Sequence, residues 1–149
     1  MTEAFEIRPY READEAAVAA LWREVFPDDP RHNQPERDIW RKLAVQRELF
    51  LVAVADARLV GTAMAGYDGH RGWLYYLAVA PTARRAGTGR ALIARVEADL
   101  AAMGCPKLNL QVRAANIGAV AFYRRLGFDI EERVSMGKPL ASSEADETR

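Results

Sequence analysis

Apolar residues recur along this chain at two different spacings, and the alternation between the spacings lays out a mixed α/β order. Ile7-Arg8-Pro9 reads as a short first strand, left at a proline that suits a strand exit. From Glu15 to Phe26 the apolar positions Val18, Leu21, Trp22, Val25 and Phe26 return at helical spacing, which predicts a helix with Asp14 as its N-cap and Pro27 as its stop. Prolines mark 27–35 as a loop, and Ile39, Trp40 and Leu43 then share one face of a second helix predicted over 36–48. The run 49–54 is apolar throughout and reads as a buried strand. Asp56-Ala57-Arg58 turns it back into 59–67, Asp68 to Gly72 turns again, and 73–79 returns, giving an antiparallel meander.

The clearest helix follows Gly89, with Leu92, Ile93, Val96, Leu100 and Met103 in one stripe, ended by Gly104 and barred from continuing by Pro106. In 107–113, Leu108, Leu110 and Val112 alternate with Asn109, Gln111 and Arg113, a strand with one polar face. Asn116 stands to cap a further helix carrying Val120, Ala121, Tyr123 and Leu126, closed by Gly127. The segment 128–138 reads as one long strand or two short ones, and 141–149 as a polar tail without fixed structure. The order is β-α-α-β-β-β-α-β-α-β(-β). The helix after the meander makes a crossover to a parallel strand, and two parallel strands whose C-terminal ends separate leave a slot for an elongated ligand.

The strand at 73–79 runs into Ala80-Pro81-Thr82-Ala83-Arg84-Arg85-Ala86-Gly87-Thr88-Gly89-Arg90, a loop with alternating glycines that opens a helix. Backbone N–H groups at a helix N-terminus lack intrahelical partners and carry the positive end of the macrodipole, so this order of elements makes a phosphate seat. Gly87 and Gly89 admit close approach of the main chain, and Arg84, Arg85 and Arg90 add full charges. Neither a Gly-Lys-Ser/Thr ending nor G-x-G-x-x-G spacing is present, which sets the loop apart from nucleotide triphosphate and dinucleotide binders.

Bulk properties narrow the field. The 149 residues fit one domain, expected over 5–140, and 21 basic residues balance 21 acidic ones, leaving no basic field to hold nucleic acid. No apolar run approaches the roughly 20 residues that span a bilayer, and Met1-Thr2-Glu3-Ala4 lacks a signal-peptide layout, so the expectation is a cytoplasmic chain with no membrane partner. Cys105 is the sole cysteine, and His32 and His70 are too isolated to make a zinc site, so no metal is expected.

Two blocks carry a family likeness: Leu77-Ala78-Val79-Ala80-Pro81-x-x-Arg84-Arg85-Ala86-Gly87-Thr88-Gly89, and Asn116-x-x-Ala119-x-x-Phe122-Tyr123-x-x-Leu126-Gly127-Phe128. With them the chain resembles the GCN5-related N-acetyltransferase (GNAT) superfamily from Phe5 to Leu140, and the turn Gly66-Tyr67-Asp68-Gly69-His70-Arg71-Gly72 points to its small bacterial YpeA-type members. The resemblance implies acetyl-coenzyme A as co-substrate, its pyrophosphate held by the amides of 85–90 and its pantetheine arm bonded, strand-like, to the main chain of Leu77 and Val79. It also implies that Asn116 touches the pantetheine or caps the helix beside it. Tyr123 then acts as general acid toward the departing thiolate, and a free N–H near Leu77 serves as oxyanion donor. The acceptor is a primary amine of unspecified origin.

One departure is instructive. Where ribosomal-protein alanine acetyltransferases carry a glutamate as general base, this chain has Gln111, which leaves as candidates Tyr75 or Tyr76 through water, Asp68, Asp28 and Asp29, or an amine that arrives neutral. Arg31, His32 and Asn33 are the acceptor-loop residues to test first. A non-catalytic coenzyme A sensor on the same fold is the rival reading, and both monomer and homodimer stay open.

Overall fold

A computed structural model describes residues 4–28 and 34–140, so the expectations placed on Asp29, Arg31, His32, Asn33 and the tail 141–149 lie outside the described residues. The chain forms two compact units, 1–110 and 111–149.

The first unit is built on five strands, β1 (Glu6–Pro9), β2 (Phe50–Ala55), β3 (Arg58–Tyr67), β4 (Gly72–Val79) and β5 (Leu108–Asn109), which follow one another across the sheet in chain order. All pairs are antiparallel except β4 with β5, as the meander and crossover predict. Helices α1 (Glu15–Val25), α2 (Pro35–Leu43) and α3 (Thr88–Ala102) cover it. Successive strand residues point to opposite faces, and β3 shows the consequence: Thr62 reaches Trp22 of α1, whereas its neighbour Gly61 lies against Leu92 and Thr88 of α3. On the α1 and α2 face, Val18, Leu21, Trp22, Ile39, Phe50, Val52 and Met64 close one core. On the other, a Cβ at Gly61 would stand 3.1 Å from Leu92 and 3.2 Å from Thr88, so the missing side chain sets how closely α3 can pack.

Four local readings change. Asp14 does not cap α1: its carboxylate turns back to accept the Arg11 N–H at 2.8 Å and pairs with Arg8. The second helix stops at Leu43, not near 48, because Gln46 takes a left-handed conformation (φ 52°) and gives its side chain to β3. There the Gln46 amide accepts from Tyr67 N at 2.8 Å and donates to Tyr67 O at 2.9 Å, while the Lys42 ammonium donates to Ala65 O. Met103 lies beyond the end of α3 and is exposed, leaving Leu92, Ile93, Val96 and Leu100 as the buried stripe. Finally, the strand expected over 107–113 pairs only at Gly72–Leu108 and Trp73–Asn109, so β4 runs six residues past its last β5 partner.

In the second unit, α4 (Ile117–Arg125) starts at Asn116, whose Oδ1 accepts the Ala119 N–H at 3.1 Å in a side-chain N-cap. Gly127 ends it at φ 97°, and Phe128 N donates to Tyr123 O at 3.1 Å. The aromatic block folds on itself, with Tyr123 edge-on to Phe122 and Phe128 at 5.2 and 5.6 Å between ring centres. Among the described residues 128–138 holds no strand, a correction to the sequence reading. A strand is stabilised by its ladder, and among its described residues this unit holds no other strand to pair with.

Candidate functional site

The phosphate-seat residues begin where β4 ends. Ala80 leads into a single tight turn, Pro81–Ala83, Arg84 is extended, and Arg85 and Gly87 both take positive φ (74° and 84°) before α3 starts at Thr88. Ala83, Arg84 and Ala86 spend their N–H groups inside this turn, and the first helical bond runs from Ala91 N to Gly87 O. Among the described residues the N–H groups of Arg85, Gly87, Thr88, Gly89 and Arg90 meet no protein acceptor. Left-handed residues at alternate positions are the geometry that turns successive N–H groups toward one concavity. A Cβ at Gly87 would meet nothing within 4 Å, so the space above the loop is open.

The side chains of the seat divide by burial. Arg85 and Arg90 are exposed, Ala86 and Gly89 are half-buried, and Thr88 is buried with its hydroxyl on Ala83 O, so only its N–H faces a ligand. Arg84 does not project freely: its Nε donates to Val79 O at 3.1 Å, tying the loop to the end of β4. Of the strand residues, Ala78 is buried in the α1 and α2 core, and Leu77 and Val79 are half-buried.

A second region lies on the α1 and α2 face of the sheet. Thr62 pairs with Ala78 and Met64 with Tyr75, so Ala63 alone opposes Tyr76 and Leu77, a bulge with Tyr76 at φ 52°. The inserted residue is held from several sides. The Tyr76 ring stacks on Trp22 at 3.8 Å between centres and meets the Phe26 edge at 5.7 Å. Its carbonyl accepts from Thr62 Oγ1 at 2.9 Å, which in turn accepts from Trp22 Nε1 at 2.8 Å. Its hydroxyl donates to Asp38 Oδ2 at 2.5 Å, and Arg41 donates to Asp38 Oδ1 at 3.0 Å. Beside the bulge opens a cleft of about 400 Å³ lined by Asp38, Arg41, Lys42, Met64, Tyr75 and Tyr76.

Asp38, Arg41 and Lys42 escape the sequence reading, which singles out only Ile39, Trp40 and Leu43 of this helix. Their spacing of three and four is the one signal that sets them on a common face. Burial lowers the Lys42 pKa from its ordinary value, only partly opposed by Glu48. Burial raises that of Tyr75, helped by the charge of Asp68.

The base candidates separate clearly. Asp68 accepts the N–H groups of His70 and Arg71 at 2.8 Å each, and those bonds hold its carboxyl below the usual range, which makes it a turn-former and a poor base. Asp28 is exposed in a turn, and the Tyr76 hydroxyl is committed to Asp38. Gln111 donates to Ser135 Oγ at 2.8 Å. Burial pushes the Tyr123 hydroxyl up to about 12, so it keeps its proton at neutral pH. Among the described residues no helix is long and apolar enough to cross a membrane.

Comparison with known proteins gives concordant results. The acetyltransferase (GNAT) family model matches residues 15–128. An acetyltransferase of Yersinia enterocolitica is 44% identical over 135 residues, covering 91% of this chain and 95% of its own. Among solved structures, aminoglycoside N-acetyltransferase AAC(6')-Iy in complex with CoA superposes with a TM-score of 0.76 at 22% identity, covering 93% and 97% of the two chains. The ribosomal-protein-S18-alanine N-acetyltransferase from Escherichia coli gives 0.69 at 25% identity, over 85% and 78%.

Proposed function

The chain belongs to the GNAT family of acetyltransferases, and from that premise we propose that it transfers acetyl from acetyl-coenzyme A to a primary amine by direct attack within a ternary complex. The observation that carries this reading is the row of N–H groups at Arg85, Gly87, Thr88, Gly89 and Arg90 without an acceptor among the described residues, placed at the end of a strand whose edge, among those residues, pairs with no strand past Trp73. A pyrophosphate supplies acceptors for such a row, with Arg85 and Arg90 adding charge from exposed positions. An extended amide-bearing arm can add to the unpaired edge of β4 as a further strand would, through the main chain of Leu77 and Val79.

The amine nitrogen attacks the acetyl carbon, the C–S bond breaks, and the sulfur leaves with the electron pair. One proton lost by the nitrogen balances the one gained by sulfur, giving an amide and a free thiol. Tyr123 is the donor assigned to the sulfur. With its pKa near 12 the phenol holds its proton more firmly than a thiol, whose ordinary value is near ~8.5, so its part is a hydrogen bond that steadies developing thiolate charge. Asn116, as helix cap, fixes the N-terminus of α4 on which Tyr123 is carried. No base is assigned among Asp28 and Asp68, so the amine attacks in its neutral form, any ammonium proton having passed to solvent.

Thiol release from acetyl-coenzyme A with pooled amines tests the reaction. Tyr123→Phe is expected to lower kcat by about 10- to 100-fold while leaving the calorimetric Kd for acetyl-coenzyme A unchanged. Wild-type kcat should show no falling limb from this group up to about pH 10. Undiminished turnover by Tyr123→Phe removes Tyr123 from the mechanism.

A further inference from the structure

The cleft beside the β4 bulge specifies an acceptor chemistry, an inference that rests on the acetyl-transfer reading above. Its lining holds two cations, Arg41 and Lys42, and one anion, Asp38. The anion is engaged on both oxygens, by the Tyr76 hydroxyl and by Arg41. Lys42 is the unusual member. It is only 9% exposed, and among the described residues its ammonium makes one hydrogen bond, to Ala65 O, while the charge of Glu48, not bonded to it, offsets only part of the cost of burial. An ammonium has three donors, and burying a cation that keeps donors unspent is costly unless an anion reaches it. The lowered pKa of Lys42 expresses the same cost.

The cleft lies at the lower end of the size range for small-ligand sites, room for a compound of amino-acid size. Met64 lines it, and half-exposed Tyr75 offers a flat apolar surface beside it. A polycation such as an aminoglycoside would meet two like charges here against one anion. We propose that the acceptor is a small amino-acid-type zwitterion, its carboxylate seated on Lys42 and Arg41 and its amino group turned toward Asp38, the Tyr76 hydroxyl and the bulge of β4.

The test is thiol release from acetyl-coenzyme A with the common L-amino acids, each beside its own α-carboxamide, and with spermidine and kanamycin. At least one amino acid should be turned over with kcat/KM roughly 100-fold above its carboxamide, since a site built to bind a polar group discriminates strongly against the analogue that lacks it. Arg41→Gln and Lys42→Met should each collapse that acid-to-amide ratio at least about tenfold, a readout that simple loss of stability does not move. If Lys42→Met melts early through loss of its bond to Ala65, Arg41→Gln, at a more exposed side chain, decides alone. Equal rates for acid and carboxamide, or preference for spermidine or kanamycin, overturn the zwitterion assignment and leave acetyl transfer standing. Tight acetyl-coenzyme A binding with no turnover of any amine overturns both.

Discussion

The loop at 84–90 and the cleft beside the β4 bulge are made of different material. In the loop the useful groups are main-chain N–H donors, arranged by two positive-φ residues and a helix start, and the side chains mostly stand aside: Thr88 is buried, and Arg84 is bonded to Val79 O. In the cleft the useful groups are side chains from separate elements, Asp38, Arg41 and Lys42 from α2 and Tyr75 and Tyr76 from β4, cross-linked by hydrogen bonds. Backbone recognition suits a ligand part that never changes, since a pyrophosphate is the same whichever amine is used. Side-chain recognition can be altered one residue at a time, which suits a variable acceptor. One strand, β4, touches both regions, lining the cleft with Tyr75 and Tyr76 and ending at Val79, where the loop begins.

The largest expected effect attacks the backbone side of this contrast. Gly87→Val places a β-branched residue at φ 84° and pushes a side chain into the open space over the loop. Affinity for acetyl-coenzyme A should fall by about 100-fold or more, roughly 2.7 kcal/mol, and an unchanged calorimetric Kd would disprove the seat. A smaller change should follow on the side-chain side. Asp38→Asn removes the charge that holds Arg41 and weakens the acceptor of the Tyr76 hydroxyl, so KM for the amine should rise by about tenfold while the Kd for acetyl-coenzyme A stays put. A matching loss in both constants would mean that the two regions are not separable. The smallest effect is a control that touches neither. Arg8 and the Arg11 N–H hold the Asp14 carboxyl below its ordinary value of 3.8 despite partial burial. Its folded pKa is depressed, so its contribution is complete above that ordinary value and is lost as pH falls through the folded one. Asp14→Asn should cost about 1–2 kcal/mol near neutrality, flatten the acid limb of a pH-dependent melting curve, and leave both ligand constants alone.

The same difference in material explains what the sequence made legible. The loop's geometry was only partly written in its glycines: Gly87 takes the positive φ that glycine enters freely, but Arg85 takes one too, and Gly89 lies inside the helix. The meander and the crossover were legible too, since each rests on hydrophobic spacing and short turns. The cleft was not. Lys42 looks like any lysine on a polar helix face until the fold brings Ala65 over it, and Tyr76 looks like a strand aromatic until the bulge turns it onto Trp22. The readings of 128–138 and most of 107–113 as strands failed for a related reason. Alternation shows that a segment can lie on a sheet, but a ladder needs a partner, and β5 keeps one for only two residues.

Gln46 and Lys42 carry a last consequence. β2 pairs with β3 only as far as Met64, so alternate residues Ala65 and Tyr67 turn their peptide groups to a side where no strand follows. The Gln46 carboxamide binds the Tyr67 peptide group as another peptide would, and the Lys42 ammonium takes the Ala65 carbonyl. Two side chains thus blunt a stretch of sheet that would otherwise be a template for intermolecular pairing. The Gln46 amide thus stands in for one residue of a further strand.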